Sequence, residues 1–143
     1  MVKTAHLGEI AVKEENIITF NSGLPAFEGF PRFALLDIAQ NDNFKWMQCI
    51  DDPETAFLLV DPFTVKPDYS VSLNDDLVKS MEISNPEDAL VYTIVNVPAS
   101  GLKDATTNLI GPLIINWRQK NARQIILDAE VNVLKYPLFA EGR

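Results

Sequence analysis

The sequence predicts a mostly-β, single-domain, β-barrel-like fold of about ten short strands with one or two short helices. Three observations carry that expectation. The apolar runs have the length of strands rather than helices, clusters of Gly, Pro, Asn and Asp interrupt them at close intervals, and several runs are apolar on both faces. Strands of that last kind need cover on both sides. Closure into a barrel, or a tightly packed pair of sheets, supplies it.

The stretch Phe44–Phe63, FKWMQCIDDPETAFLLVDPF, shows all three features. Phe44, Trp46, Gln48 and Ile50 share one face of the first run, and Lys45, Met47 and Cys49 the other. In the second run Ala56, Leu58 and Val60 alternate with Phe57, Leu59 and Asp61. Asp51-Asp52-Pro53-Glu54 is a turn, because Asp before Pro is pushed out of the helical region. Pro62 ends the second strand, since it cannot donate to a ladder. The result is an antiparallel hairpin with an acidic tip, in the middle of a sheet. Trp46, Ile50, Leu58 and Val60 are predicted core residues, joined by Leu113 and Ile115.

Taken in order, Thr4–Leu7 and Glu9–Val12 read as short strands around Gly8, with Glu14-Glu15-Asn16 as a turn. Ile17–Phe20 is a further strand, stopped by Asn21-Ser22-Gly23 and Pro25. Phe27, Phe30 and Phe33 recur every third residue, predicting a helical turn that feeds a strand over Phe33–Asp37. Gln40–Asn43 reads as a polar loop. Beyond the hairpin, Asp68–Val71 reads as a strand, and Asn74 caps a short helix over Asp75–Ile83 with acids in its first turn. Asn85–Asp88 is a turn and Ala89–Val97 a long strand, followed by a loop from Pro98 to Asp104. Leu109, Leu113 and Ile115 share one face and Ile110, Ile114 and Asn116 the other, with a bulge at Gly111-Pro112. A basic turn, Arg118–Arg123, leads to a strand over Gln124–Leu127. Tyr136–Phe139 is a short apolar docking segment. One domain is expected over residues 1–139, and residues 140–143 as a frayed tail.

At 143 residues the chain suits one domain with its own core. The net charge of -8 repels a phosphate backbone, which argues against direct nucleic-acid binding and favours a basic protein partner. The first ten residues carry no hydrophobic leader, and no apolar run reaches the about 18 residues of a membrane helix. A soluble, cytoplasmic protein without membrane contact is therefore expected. The single cysteine, Cys49, lies in an apolar strand and reads as a core thiol in a reducing compartment.

Catalytic constellations are missing from the sequence. His6 is the only histidine, so neither a triad nor a Cys/His zinc set is available. Gly23 and Gly29 belong to no phosphate-loop pattern. Asp75 and Asp76 are adjacent on a helix and do not face one another, so they are first-turn charges rather than an acid pair. No catalytic residue, metal or cofactor is assigned. The alternative is a small-ligand-binding or enzymatic barrel with an unrecognised site.

The order of segments resembles the bacterial family of the flagellar assembly factor FliW. The matching pieces are GEIAVKEENIITFNSGLPAFEGFPRFAL over Gly8–Leu36, the hairpin FKWMQCIDDPETAFLLVDPF, and TTNLIGPLIINWRQKNARQIIL over Thr106–Leu127. Thr107 and Gly111 stand where the family pattern commonly has alanines. The resemblance implies a β-barrel-like, non-enzymatic binding protein that is a monomer by itself. It implies two partners: CsrA, a small basic RNA-binding translational repressor bound as a dimer, and flagellin. Flagellin accumulating in the cytoplasm would occupy the protein and free CsrA to repress flagellin translation. Contact with CsrA is expected through acidic loop residues beside apolar ones, namely Asp51, Asp52 and Glu54 at the hairpin tip, Asp61 and Phe63 at its end, and Asp68 with Tyr69.

Overall fold

The computed structural model describes residues 2–5, 8–20, 32–38, 41–129 and 132–139. His6, the breaker cluster at 21–25, the Phe27–Phe30 turn and the tail at 140–143 lie outside the described residues.

Strands β1 (Val2–Thr4) and β2 (Gly8–Ile10) form a small antiparallel hairpin of their own, somewhat earlier in the chain than the sequence suggests. Gly8 takes a positive φ of 71°, which a side chain disfavours. Glu14–Asn16 is a single 3-10 turn. The main sheet contains β3 (Ile17–Phe20), β4 (Arg32–Ile38), β5 (Asn41–Cys49), β6 (Ala56–Val60), β7 (Ala89–Asn96), β8 (Thr106–Thr107), β9 (Leu113–Asn116), β10 (Asn121–Gln124) and β11 (Tyr136–Pro137). Its order is β11-β8-β7-β6-β5-β4-β3-β10-β9, and β7 also pairs with β9. That last pairing closes β3, β4, β5, β6, β7, β9 and β10 into a barrel, antiparallel except between β10 and β3. The β5–β6 hairpin sits mid-sheet, as expected.

Closure answers how two-sided apolar strands are covered. The barrel interior holds Ile18, Phe20, Phe33, Leu35, Met47, Cys49, Leu59, Leu113, Ile115 and Ala122. The outer faces of the same strands carry two further clusters. Val60 and Val95 pack with Val65, Ala105 and Leu138, while Ile114 packs with Leu77 and Met81. Helix α1 (Pro62–Val65) and the docked β11 segment cover the first, and helix α2 (Asp75–Ser80) covers the second.

The structure corrects several expectations. Val60, Leu113 and Ile115 are fully buried, but Trp46, Ile50 and Leu58 are only half-buried and face outward. The innermost hairpin residues are Met47, Cys49 and Leu59, on the opposite parity. Alternation alone assigns faces but not inside and outside when both are apolar. Asn41–Asn43 extends β5 instead of forming a loop, held by the Ile38↔Asn41 pairing and by Asp61 N–H donating to Asn43 O at 2.8 Å. Asp68–Val71 is not a strand. Asp61 accepts from Phe63 N–H at 3.0 Å and Pro62 occupies the first helical position, so the chain enters α1 and then an irregular crossing to α2. Helix α2 ends at Ser80, three residues earlier than predicted, with Glu82 in the left-handed region at φ 56°.

The late block also differs. β9 begins only at Leu113, because Asn108 Oδ1 accepts from both Ile110 N–H and Gly111 N–H and holds that stretch in a turn. β10 begins at Asn121, so the turn is Trp117–Lys120, with Lys120 at φ 58°. Buried Asn116 organises it: its Oδ1 accepts from Arg118 and Gln119 N–H, and its Nδ2 donates to Met81 O at 2.7 Å, tying the end of α2 to the barrel.

Candidate protein-binding surface

The β5–β6 hairpin has two ends, and each carries part of the predicted site. At the tip, Gln48 is fully buried and its Nε2 lies 3.2–3.3 Å from the carbonyls of Cys49, Asp52, Pro53 and Thr55. The loop is thus wrapped around one amide. Asp52 belongs to that scaffold: its Oδ1 accepts from Glu54 N–H and its Oδ2 from Thr55 Oγ1 at 2.6 Å. Asp51 pairs with Arg32 at 3.2 Å in solvent, and Glu54 is exposed. Of the three tip acids, Glu54 and Asp51 are the ones presented outward.

At the other end, Asp61 caps α1 and Phe63 projects from it, 40% exposed. The Phe63 ring lies 5.7 Å from that of Tyr69. Tyr69 is only 5% exposed and its hydroxyl donates to Leu109 O at 2.7 Å. Burial pushes its phenol up to about 12. Tyr69 is therefore spent inside the fold, and it supports Phe63 instead of offering a ring of its own. Asp68 is fully exposed beside Lys66 at 2.9 Å, which holds its carboxyl below the ordinary value. The structure gathers Asp61, Phe63, Asp68 and Tyr69 around α1. It separates them from Asp51, Asp52 and Glu54 by the length of β6, about 17 Å at a strand's rise per residue.

Two of the concavities that the sequence reading did not anticipate share β7 as a wall. A groove of about 480 Å³ runs between α2 and β7, lined by Val71, Leu73, Val78, Ile83, Ala89 and Val91 with Ser84, Asn85 and Pro86 at one end. A smaller one of about 240 Å³ opens at the barrel mouth, where Leu90 and Tyr92 of β7 face Leu35, Lys45 and Trp117. Lys45 is ion-paired with Asp37 there, and that hydrogen bond holds its ammonium above the ordinary value. Burial raises the Tyr92 phenol, Asp61 and Asp37 add to the rise, and Lys45 opposes it. The residues of that shared wall are apolar on both sides without interruption from Ala89 to Tyr92.

Burial pushes the Cys49 thiol up, away from the nucleophilic thiolate. Among the described residues no three His, Cys, Asp or Glu side chains stand close enough to hold a metal ion, and no helix is long and apolar enough to cross a membrane.

Comparison with known proteins gives a consistent picture. The family described as FliW protein matches residues 1–138. The flagellar assembly factor FliW of Moorella thermoacetica is 39% identical over 141 residues, spanning 99% of this chain and 89% of that protein. The flagellar assembly factor FliW of Caldicellulosiruptor saccharolyticus is 40% identical over 139 residues, spanning 97% and 90%. A crystal structure of the flagellar assembly factor FliW superimposes with a TM-score of 0.86 at 29% identity, covering 99% of both chains.

Proposed function

The chain belongs to the FliW family, whose relatives above are flagellar assembly factors, and from that premise we propose that it serves flagellar assembly in the cytoplasm as a stoichiometric binding protein and not an enzyme. In this reading it binds the translational repressor CsrA, as a heteromer with a CsrA dimer, and releases it when flagellin occupies the same protein. The observation that carries the reading is the end-to-end family match over residues 1–138. The molecule's own physics supports it. A net charge of -8 steers a basic protein toward the surface, and a groove of about 480 Å³ lined by Val71, Leu73, Val78 and Val91 suits the apolar face of a helix.

Two ligands that displace one another are linked by a coupling free energy, and each weakens the other by the same factor. Overlapping surfaces on one barrel provide that coupling without a hinge. The contacts differ in kind: apolar burial for flagellin's helical segments, acidic contacts for CsrA. The test is a titration of flagellin into the preformed CsrA complex, read by size exclusion. It is repeated at about 0.05 and 0.5 M salt, which shortens the Debye length about threefold. Flagellin is expected to release CsrA, and CsrA binding to weaken far more with salt. A stable ternary complex overturns the exclusion, and equal salt slopes overturn the division of contacts.

A further inference from the structure

The geometry points to the open edge of β7 at Ala89–Val91 as the place where an extended, basic segment of a partner protein adds as a strand. The backbone bonding of β7 fixes which groups are open. Trp117 N–H donates to Asp88 O at 3.0 Å, and alternation then sends the backbone groups of Leu90 and Tyr92 to β9 and those of Ala89 and Val91 to the opposite edge. On that edge β6 supplies partners only as far as Thr93, through Leu58↔Val95 and Val60↔Thr93. Continuing the register by two residues places Pro62 opposite Val91. Proline has no N–H to offer, and Pro62 has already turned into α1. Asp61 N–H is committed to Asn43 O, and Ala89 N–H to Pro86 O. No strand among the described residues pairs with this edge at Ala89–Val91.

The two concavities flank this edge, one on each side of the strand. Ala89 and Val91 line the groove, and Leu90 and Tyr92 line the barrel mouth. Side chains of an added strand alternate in the same way, so its residues would drop in turn into the apolar groove and toward the Lys45–Asp37 pair. The charge of the rim selects the occupant. Exposed Asp42 lies close enough to Lys45, and half-buried Asp61 close enough to Tyr92, for each to act on it. Exposed Glu82 and Glu87 adjoin the groove-lining Ile83 and Pro86 in the chain, while Lys45 and Arg118 are already matched by Asp37 and Asp88. A segment bearing Lys or Arg meets complementary charge there, and an acidic one is repelled. The assignment rests on the reading above, in which the basic partner is CsrA. It also locates the overlap that reading requires, because Ala89 and Val91 belong to both the strand site and the helix-receiving groove.

The experiment is residue-resolved amide exchange on the full chain, labelled with 15N, free and with purified CsrA, with complex formation followed by size exclusion. In the free protein Val91 N–H is expected to exchange faster than Leu90 and Tyr92 N–H. In the complex it is expected to slow by at least about tenfold relative to those two. Slow exchange of Val91 in the free protein overturns the open edge. A complex that forms while Val91 still exchanges fast overturns strand addition and leaves the partner reading standing. Absence of any complex overturns the partner reading and this proposal with it, and protection by flagellin but not CsrA overturns the basic occupant. A second variant tests the charge. Asp42→Lys combined with Glu87→Lys, both at exposed positions, is expected to weaken CsrA binding about tenfold at low salt with an unchanged unfolding midpoint. Unchanged affinity overturns the role of the rim.

Discussion

Met47 and Trp46 are neighbours in β5 that point to opposite faces, so truncating each in turn separates the inside of the barrel from its outside. Met47 is fully buried against Phe33, Leu35, Cys49 and Leu59. Met47→Ala removes Cγ, Sδ and Cε, worth about 2.4 kcal/mol of transfer at about 0.8 per methylene-sized group, before any cavity is counted. A closed barrel cannot collapse onto the void, so about 3 kcal/mol is expected, within the usual range of about 2–5 for such changes. Trp46 is larger but half-buried, with its indole N–H donating to Gln48 Oε1 at 3.3 Å. Trp46→Ala leaves an open notch that water fills, and about 1–2 kcal/mol is expected instead of the about 3–5 of a core tryptophan. Urea unfolding followed by circular dichroism avoids the lost fluorophore. For a slope of about 1.5–2 kcal/mol/M, Met47→Ala should lower the midpoint by about 1.5–2 M and Trp46→Ala by about 0.5–1.3 M. A larger loss for Trp46→Ala than for Met47→Ala would refute the inside–outside assignment.

Tyr69 predicts an alkaline limit to stability. Its phenol is raised to about 12 in the fold against about 10 when unfolded, so the stabilisation is complete below pH 10 and drains away as pH climbs to 12, by up to about 2–3 kcal/mol. Tyr69→Phe should cost about 1 kcal/mol at pH 8, through the lost bond to Leu109 O, and flatten the slope between pH 10 and 12; an unchanged slope would contradict the burial argument. Gln48→Leu keeps the volume but removes the amide around which the tip is folded. It should cost about 1–3 kcal/mol and speed amide exchange over residues 51–55, with Leu113–Asn116 amides as the unaffected control. A neutral Gln48→Leu would mean that the loop holds itself.

What was legible in the sequence was the punctuation. Asp51-Asp52-Pro53-Glu54 breaks the chain unambiguously, so the hairpin and its central place were readable, and Asn74 announced α2 because an Asn side chain before two acids is a helix start. The sign of each face was not readable, since Phe44, Trp46 and Leu58 are as apolar as Met47, Cys49 and Leu59. Only ring closure decides between them. The Tyr-Ser-Val run at residues 69–71 has strand propensity, but tertiary demand overrides it: Tyr69 has to reach Leu109, and Val71 has to pack on the cluster of Leu77, Met81 and Ile114. The groove and the barrel mouth were invisible for a related reason. Their walls come from residues 71 to 91 and from 16 to 117, and no local pattern encodes a cavity assembled over such separations.

The dipeptide Asp61-Pro62 shows how one local instruction reaches the proposed function. Read along the strand it is a stop, because proline cannot extend the ladder. Read forward it is a start, because Asp61 caps and Pro62 opens α1, lifting the chain off the sheet and setting Phe63 in solvent against Tyr69. The same departure removes the strand that would have covered β7 below Thr93, while β7 itself runs on to Ala89 because β9 still pairs with it there. The barrel remains closed, yet one strand edge opens between two concavities. A barrel otherwise protects its edges, and an unpaired one invites another chain. In this molecule the exposed edge is short, faces an acidic rim, and adjoins a groove of a size that suits a helix. Those limits let the edge take up a basic segment while discouraging self-association, since a second copy would bring like charge to the same rim.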